Sequence, residues 1–142
     1  MADTSKITGL KKLSDWEMTD MMKYSENVAA QFTGGINPTQ LRKFHGHITK
    51  IWSKYSMNKS SYLNNLDAFK REIRDEIFFV KAYLAYQAGR EGKIRDLKDV
   101  LSAAIDKIQD QKDFETFKKF YDSILAYHKF YSSEPSKGGN RR

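Results

Sequence analysis

The sequence predicts an all-α fold, a single-domain bundle of about five helices, from three observations. Apolar residues recur at intervals of three and four along most of the chain, which is the spacing of one helix face. The 142 residues include only 2 Pro and 8 Gly, and most of these lie between or beyond the periodic segments. No stretch alternates apolar and polar residues as a half-buried strand does.

The periodic segments set the predicted domain boundaries. Residues 1–13 lack capping signals and apolar periodicity, so we expect a loose N-terminal arm. Residues 14–131 form the predicted helical bundle domain, and a chain of this length suits one hydrophobic core. Residues 132–142 contain no apolar side chain and are basic, which predicts a disordered tail.

The first two helices have clear start signals. Ser14 and Glu17 match an S-x-x-E capping box, and Gly34-Gly35 is expected to end the first helix in the left-handed conformation. Asn37 is the predicted cap of the second helix, followed by Pro38 at its first position. The predicted buried stripe of the second helix is Leu41, Phe44, Ile48, Ile51 and Tyr55.

The exposed side of the second helix carries a predicted basic ridge. Its members, spaced three and four apart, are Lys43, His47, Lys50 and Lys54, with Arg42 beside them. No carboxylate occurs between Pro38 and Asn65, so we expect this ridge of about 16 Å to be unneutralised. Either a solvated helix face or a surface for a polyanion is consistent with this pattern.

Three further helices complete the predicted bundle. The third runs from Leu66 to Ala88, and its increasingly apolar second half is expected to be buried on more than one side. The fourth runs from Ile94 to Gln109. The last, aromatic-rich helix spans residues 114–131 with Asp113 as its cap. Its two overlapping apolar stripes need cover from the bundle or from a second copy, by helix exchange or self-association.

Composition narrows the partners and the compartment. The net charge of +7 favours a polyanion, with nucleic acid first and an anionic membrane or an acidic protein second. With 0 Cys, the chain has neither disulfides nor a thiolate metal site. No apolar run approaches the roughly 18 residues of a membrane helix, so we predict a soluble, cytoplasmic protein without a membrane partner.

No catalytic or metal-binding motif emerges, and we predict a protein that is neither an enzyme nor cofactor-dependent. Residues 89–93 (GREGK) lack the first glycine and the Ser or Thr of a Walker loop. His45 and His47 point in different directions on one helix, and His128 among aromatics predicts a buried structural histidine. Ion pairs explain the acids of the third and fourth helices better than a two-metal site; these acids are Glu72, Asp75, Glu76, Asp96 and Asp99.

Three ordered stretches resemble a known family. Residues 41–44 (LRKF), 80–90 (VKAYLAYQAGR) and 120–129 (FYDSILAYHK) are similar to the small subunit of the type III-A CRISPR–Cas effector complex, the Csm family. The resemblance covers residues 36–131. It implies a non-catalytic subunit, several copies of which stack along the guide–target RNA duplex and contact the backbone and large subunits. Its basic residues would bind the sugar–phosphate backbones of both the CRISPR RNA and the target RNA.

The resemblance and the basic ridge together supply the candidate RNA-contact residues. Carried over onto matching positions, these are Arg42, Lys43, Lys81, Arg90 and Lys129. The ridge adds Lys50 and Lys54, and the last helix adds Lys118 and Lys119. Since Lys81 lies in an apolar run, we expect its ammonium to reach a phosphate or an acid. Tyr83 and Tyr86, near cations, suit base stacking or an ordinary core edge. A helical adaptor that docks an acidic protein remains the alternative.

Overall fold

In a computed structural model, which describes residues 3–132, the chain is the all-α bundle that the sequence predicts. The helices are α1 (Ser5–Thr8), α2 (Met18–Phe32), α3 (Pro38–Met57), α4 (Lys59–Tyr62), α5 (Leu66–Phe69), α6 (Asp75–Arg90), α7 (Arg95–Ile105) and α8 (Gln111–Ser132). One π-helical turn, Lys70–Arg74, joins α5 to α6, and short 3-10 segments lie at Leu13–Asp15 and Gly92–Ile94. The described part of the chain contains no strand.

The five predicted helices correspond to α2, α3, the continuous α5–α6 helix, α7 and α8. No helix within residues 3–132 is both long and apolar enough to cross a membrane. The predicted basic tail lies outside the described residues, apart from Ser132 at the end of α8.

α8 lies at the centre of the bundle, where it packs most extensively against α2 and also against α3. Its aromatic face is fully buried, which confirms that the bundle covers this helix on several sides; the rings are those of Phe114, Phe117, Phe120 and Tyr121. The Trp16 ring lies 5.0 Å from that of Phe120, and the Tyr121 hydroxyl donates to the Leu41 carbonyl at 3.0 Å.

α3 lies between α8 and α6 and begins as predicted. The Asn37 side chain accepts the N–H of Gln40 at 2.8 Å, and the Gln40 side chain accepts the N–H of Asn37 at 3.2 Å. Pro38 takes the first helical position, where its missing N–H costs nothing. All five residues of the predicted stripe are buried, so the sequence determines which side of α3 faces solvent.

The N-terminal segment is packed, and the expectation of a loose arm was wrong for its described residues. Ile7 and Leu13 are fully buried, and the Leu13 N–H donates to the Lys107 carbonyl at 3.1 Å. α2 begins at Met18 rather than Ser14. It ends just before Gly34-Gly35, but neither glycine has the left-handed φ that was expected.

Asp113 explains both misplaced helix starts. α8 begins at Gln111, and the carboxylate that accepts the N–H of Asp113 at 3.1 Å belongs to Asp110. The fully buried Asp113 carboxylate accepts the N–H groups of Ser14 and Gln109, each at 2.8 Å. A residue predicted to cap its own helix therefore joins the N-terminal segment to the turn between α7 and α8.

The continuous α5–α6 helix is more exposed than its sequence suggests. α3 and α7 cover two of its sides, but Phe79 is 76% exposed and Tyr86 is 63% exposed. Leu66, at the predicted start of the third helix, is 44% exposed. The expectation that the apolar second half is buried on more than one side is confirmed by the cover from α3 and α7, but the side that carries Phe79 and Tyr86 stays exposed.

Candidate nucleic-acid interface

The solvent side of α3 carries the clearest basic surface of the bundle. We define the exposed α3 face as Arg42, Lys43, Gly46, Thr49 and Lys50. Within residues 3–132, none of its three cations forms an ion pair with an acid. A Cβ on Gly46 would meet no atom within 4 Å, so the middle of the face is open to a close partner.

The rest of the predicted ridge is neutralised or packed. Lys54 Nζ lies 2.7 Å from Glu76 Oε2, and the His47 ring lies 4.5 Å from the Tyr83 ring. The prediction of an unneutralised ridge was therefore wrong at Lys54. The acid comes from α6, which the absence of carboxylates within the α3 segment could not reveal.

One cation of α8 that lies beside α3, Lys118, is also engaged. Lys118 Nζ lies 2.9 Å from Asp122 Oδ2 and 5.4 Å from the centre of the Trp52 ring. The other oxygen of Asp122 accepts a hydrogen bond from His45 Nε2 at 2.7 Å. Asp122 thus neutralises the edge of α8 that faces α3, whereas Lys119 is exposed.

One groove brings two predicted contact residues together. Arg42 of α3 and Lys129 of α8 both line a groove of about 560 Å³, with Leu125 and Ala126 as apolar lining. Asp122 also lines it and lowers its positive charge. The groove extends the exposed α3 face towards the C-terminal end of α8.

The two candidates on α6 have different surroundings. Lys81 Nζ forms an ion pair with Asp106 and lies 5.2 Å from the centre of the Phe78 ring. This confirms the expectation that the ammonium reaches an acid. Arg90 is exposed, and its guanidinium carbon lies 5.9 Å from the centre of the Tyr86 ring.

Three of the five acids that were weighed for a metal site have other partners. Within residues 3–132, no three His, Cys, Asp or Glu side chains are close enough to hold a metal ion. Glu72 accepts a hydrogen bond from the Tyr62 hydroxyl at 2.8 Å. Burial and this carboxylate together raise the pKa of Tyr62 to about 12. Glu76 pairs with Lys54 and Asp99 with Lys98, as the ion-pair interpretation predicts.

His128 is the buried structural histidine that its aromatic neighbours indicated. It is 1% exposed, and its Nε2 donates to the Ile36 carbonyl at 2.8 Å. Burial lowers the pKa of this imidazole, so the neutral form is favoured. His128 therefore holds α8 to the start of α3 and is not positioned as a proton donor to solvent.

Sequence reasoning missed two residues that define the interface. Asp122 could have been found, because it stands four residues after Lys118 on the same predicted helix. The exposure of Phe79 had no local signal, since its apolar neighbours predict burial. Only the arrangement of α3, α6 and α7 leaves its ring in solvent.

Comparison with known proteins agrees with the resemblance. A family model described as Csm2 Type III-A matches residues 15–134. A relative from Enterococcus italicus, named CRISPR system Cms protein Csm2, is 26% identical over 104 residues, covering 68% of this chain and 69% of the relative. A relative of the same name from Streptococcus thermophilus is 29% identical over 88 residues, covering 61% of this chain and 73% of the relative.

Proposed function

Because the chain belongs to the Csm2 type III-A family, and so to the subunits of a Csm effector complex, we propose that it is the complex's non-catalytic RNA-binding small subunit. Several copies would stack along the guide–target RNA duplex and contact the backbone and large subunits. The cytoplasmic location stays a prediction. The observation that carries the RNA-binding proposal is the exposed α3 face, which presents three cations without an acidic partner within residues 3–132.

The proposed mechanism is electrostatic. Arg42, Lys43 and Lys50 contact phosphates and release counterions, which favours binding without reading bases. Arg42 also lines the groove that contains Lys129, so a strand on α3 would continue onto α8. Lys119 is a further phosphate contact on α8. Sequence specificity comes from pairing between guide and target, as in other RNA-guided complexes.

The cations that already form ion pairs with acids have a smaller proposed role in RNA binding. Lys54, Lys81 and Lys118 each already lie against a carboxylate. A phosphate would have to compete with that acid, so each contributes less than a free cation. Repetition of weak sites along one duplex compensates, because neighbouring copies raise the effective concentration of each contact.

The test is fluorescence anisotropy with a labelled RNA of about 40 nucleotides over a range of salt concentrations. Changing Arg42, Lys43 and Lys50 together to Ala should weaken binding about tenfold or more at low salt. The slope of log affinity against log salt should become shallower by about 2, because about 0.7 is lost for each contacted phosphate on a single strand.

The matched control removes the same charge elsewhere. Lys6, Lys11 and Lys23 are exposed cations of the N-terminal segment and α2. Their triple change to Ala should leave most of the affinity intact. If both triple variants lose affinity equally, net charge and not the exposed α3 face is responsible. If wild type binds no RNA at low salt, the proposal is wrong for the isolated chain, and capture of an acidic protein subunit would favour the adaptor function.

A further inference from the structure

Two aromatic rings project from α6 into solvent. Phe79 is 76% exposed and Tyr86 is 63% exposed. They stand seven residues apart, which is two helical turns or about 10 Å along one side. Between them, Ala82 and Ala85 are exposed and short, so the space above the rings is open to a flat group. Neither ring contributes to the core of this chain.

Each exposed ring has a cation beside it. Lys50 of the exposed α3 face lines a groove of about 480 Å³ together with Phe79. Arg90 places its guanidinium 5.9 Å from the centre of the Tyr86 ring. Neither cation forms an ion pair with an acid within residues 3–132. A ring with an adjacent free cation can hold a base by stacking and the attached phosphate by charge.

We infer that Phe79 and Tyr86 form a stacking platform for unpaired RNA bases. Lys50 and Arg90 bind the phosphates attached to those bases. The inference rests on the proposed RNA-binding function and extends it. The exposed α3 face holds the backbone of any RNA, whereas this platform selects strands with bases free to stack. On the guide–target duplex the platform would receive only bases that are splayed out of the stack, because a continuous duplex offers no open base face.

The charges around the platform favour RNA over an apolar protein helix. A protein partner that buried both rings would also bury the ends of Lys50 and Arg90, at a cost unless it supplied acids to both. RNA supplies a phosphate at every nucleotide. Of the two acids in the Phe79 groove, Glu76 pairs with Lys54, which leaves Asp75 as the opposing charge.

The neighbouring aromatic residue, Tyr83, is not part of the platform. Its ring lies 5.7 Å from that of Phe44 and 4.5 Å from that of His47. It is half-buried at the junction of α3 and α6 and serves the packing of these helices. The sequence suggested that either Tyr83 or Tyr86 could stack on a base, and only the Tyr86 ring is exposed enough to do so.

The test separates the contribution of the bases to RNA affinity from that of the phosphates. Anisotropy would compare a single-stranded RNA of about 12 nucleotides with an RNA of the same length whose central nucleotides are abasic. Both carry the same phosphates. Wild type should lose between about fivefold and about a hundredfold in affinity for each stacked base removed. The variant with Phe79→Leu and Tyr86→Leu should bind both RNAs alike, with the salt dependence of wild type.

The control changes two exposed apolar side chains that have no ring. Met57 and Leu63 are 84% and 69% exposed, and changing both to Ala should preserve the preference for RNA with bases. Sedimentation velocity on wild type and the leucine variant completes the test. Equal affinity of wild type for both RNAs would overturn the platform but leave phosphate binding in place. A change of oligomeric state in the leucine variant would also overturn it, because the rings would then contact protein. Absence of any RNA binding would overturn both proposals.

Discussion

α3 and α8 both carry cations, yet the bundle uses them differently. On α8, Lys118 pairs with Asp122, and the same carboxylate accepts a hydrogen bond from His45. On α3, Lys50 has no such acid within residues 3–132. α8 is the central helix, so its polar groups are drawn into contacts with its neighbours. α3 is covered on two sides and leaves a third side open. The number of cations on a helix therefore says less about binding than their distance from acids, whether on the same helix or on another.

The largest expected effect comes from removing a buried polar contact of α8, the helix whose polar groups are held by its neighbours. Asp113→Ala removes a buried carboxylate and leaves the N–H groups of Ser14 and Gln109 without their acceptor. We expect the free energy of unfolding to fall by about 3 kcal/mol, measured by urea denaturation followed by circular dichroism. Asp67→Ala, at an exposed acid of α5, is the control and should cost less than about 1 kcal/mol. Equal losses would mean that the Asp113 network is not a specific anchor.

An intermediate effect tests the openness of the exposed α3 face. Gly46→Ala adds a methyl group where nothing lies within 4 Å, and alanine favours a helix interior over glycine by about 1 kcal/mol. The midpoint of urea unfolding should therefore rise. Gly35→Ala is the comparison, because it lies outside a helix and its new Cβ would stand 3.4 Å from Lys93 Cβ. A loss of stability in Gly46→Ala would show that this face is packed in solution.

The smallest expected effect concerns the paired cations. One variant removes two whole ion pairs, Lys54 with Glu76 and Lys81 with Asp106, by changing all four residues to Ala. The net charge is unchanged. RNA affinity should stay within about twofold of wild type, and stability within about 2 kcal/mol, since exposed pairs contribute little. A tenfold loss of RNA affinity would place these lysines on RNA and remove the distinction between free and paired cations.

The sequence predicts the helices well wherever local signals agree. The cap, the first proline and the buried stripe of α3 all follow from residues within the helix itself, and each is confirmed. The burial of the aromatic face of α8 also follows from its own periodicity. The helix starts near Ser14 and Asp113 do not, because the Ser14 N–H donates to the Asp113 carboxylate, a partner 99 residues away along the chain.

The candidate site is less predictable than the fold. The freedom of Lys50 and the pairing of Lys54 depend on where the acids of α6 lie, which spacing along α3 does not encode. The exposure of Phe79 depends on how α3 and α7 pack against α6, which leaves this side of α6 uncovered within residues 3–132. Net charge predicts a class of partner for this protein, while tertiary packing decides which cations remain without an acid within residues 3–132.

The hydrogen bond between Ser14 and Asp113 also has a consequence for biosynthesis. It spans 99 residues, and α2 packs chiefly on α8, the last helix within residues 3–132. A ribosome releases the N-terminus first, so the apolar faces of α2 and α3 emerge before the helix that covers them. Contacts of such long sequence separation slow folding, and we expect the bundle to close only after α8 has been translated. A nascent chain stalled before α8 would expose the apolar faces of α2 and α3 to chaperones and to other incomplete copies, with which it could aggregate.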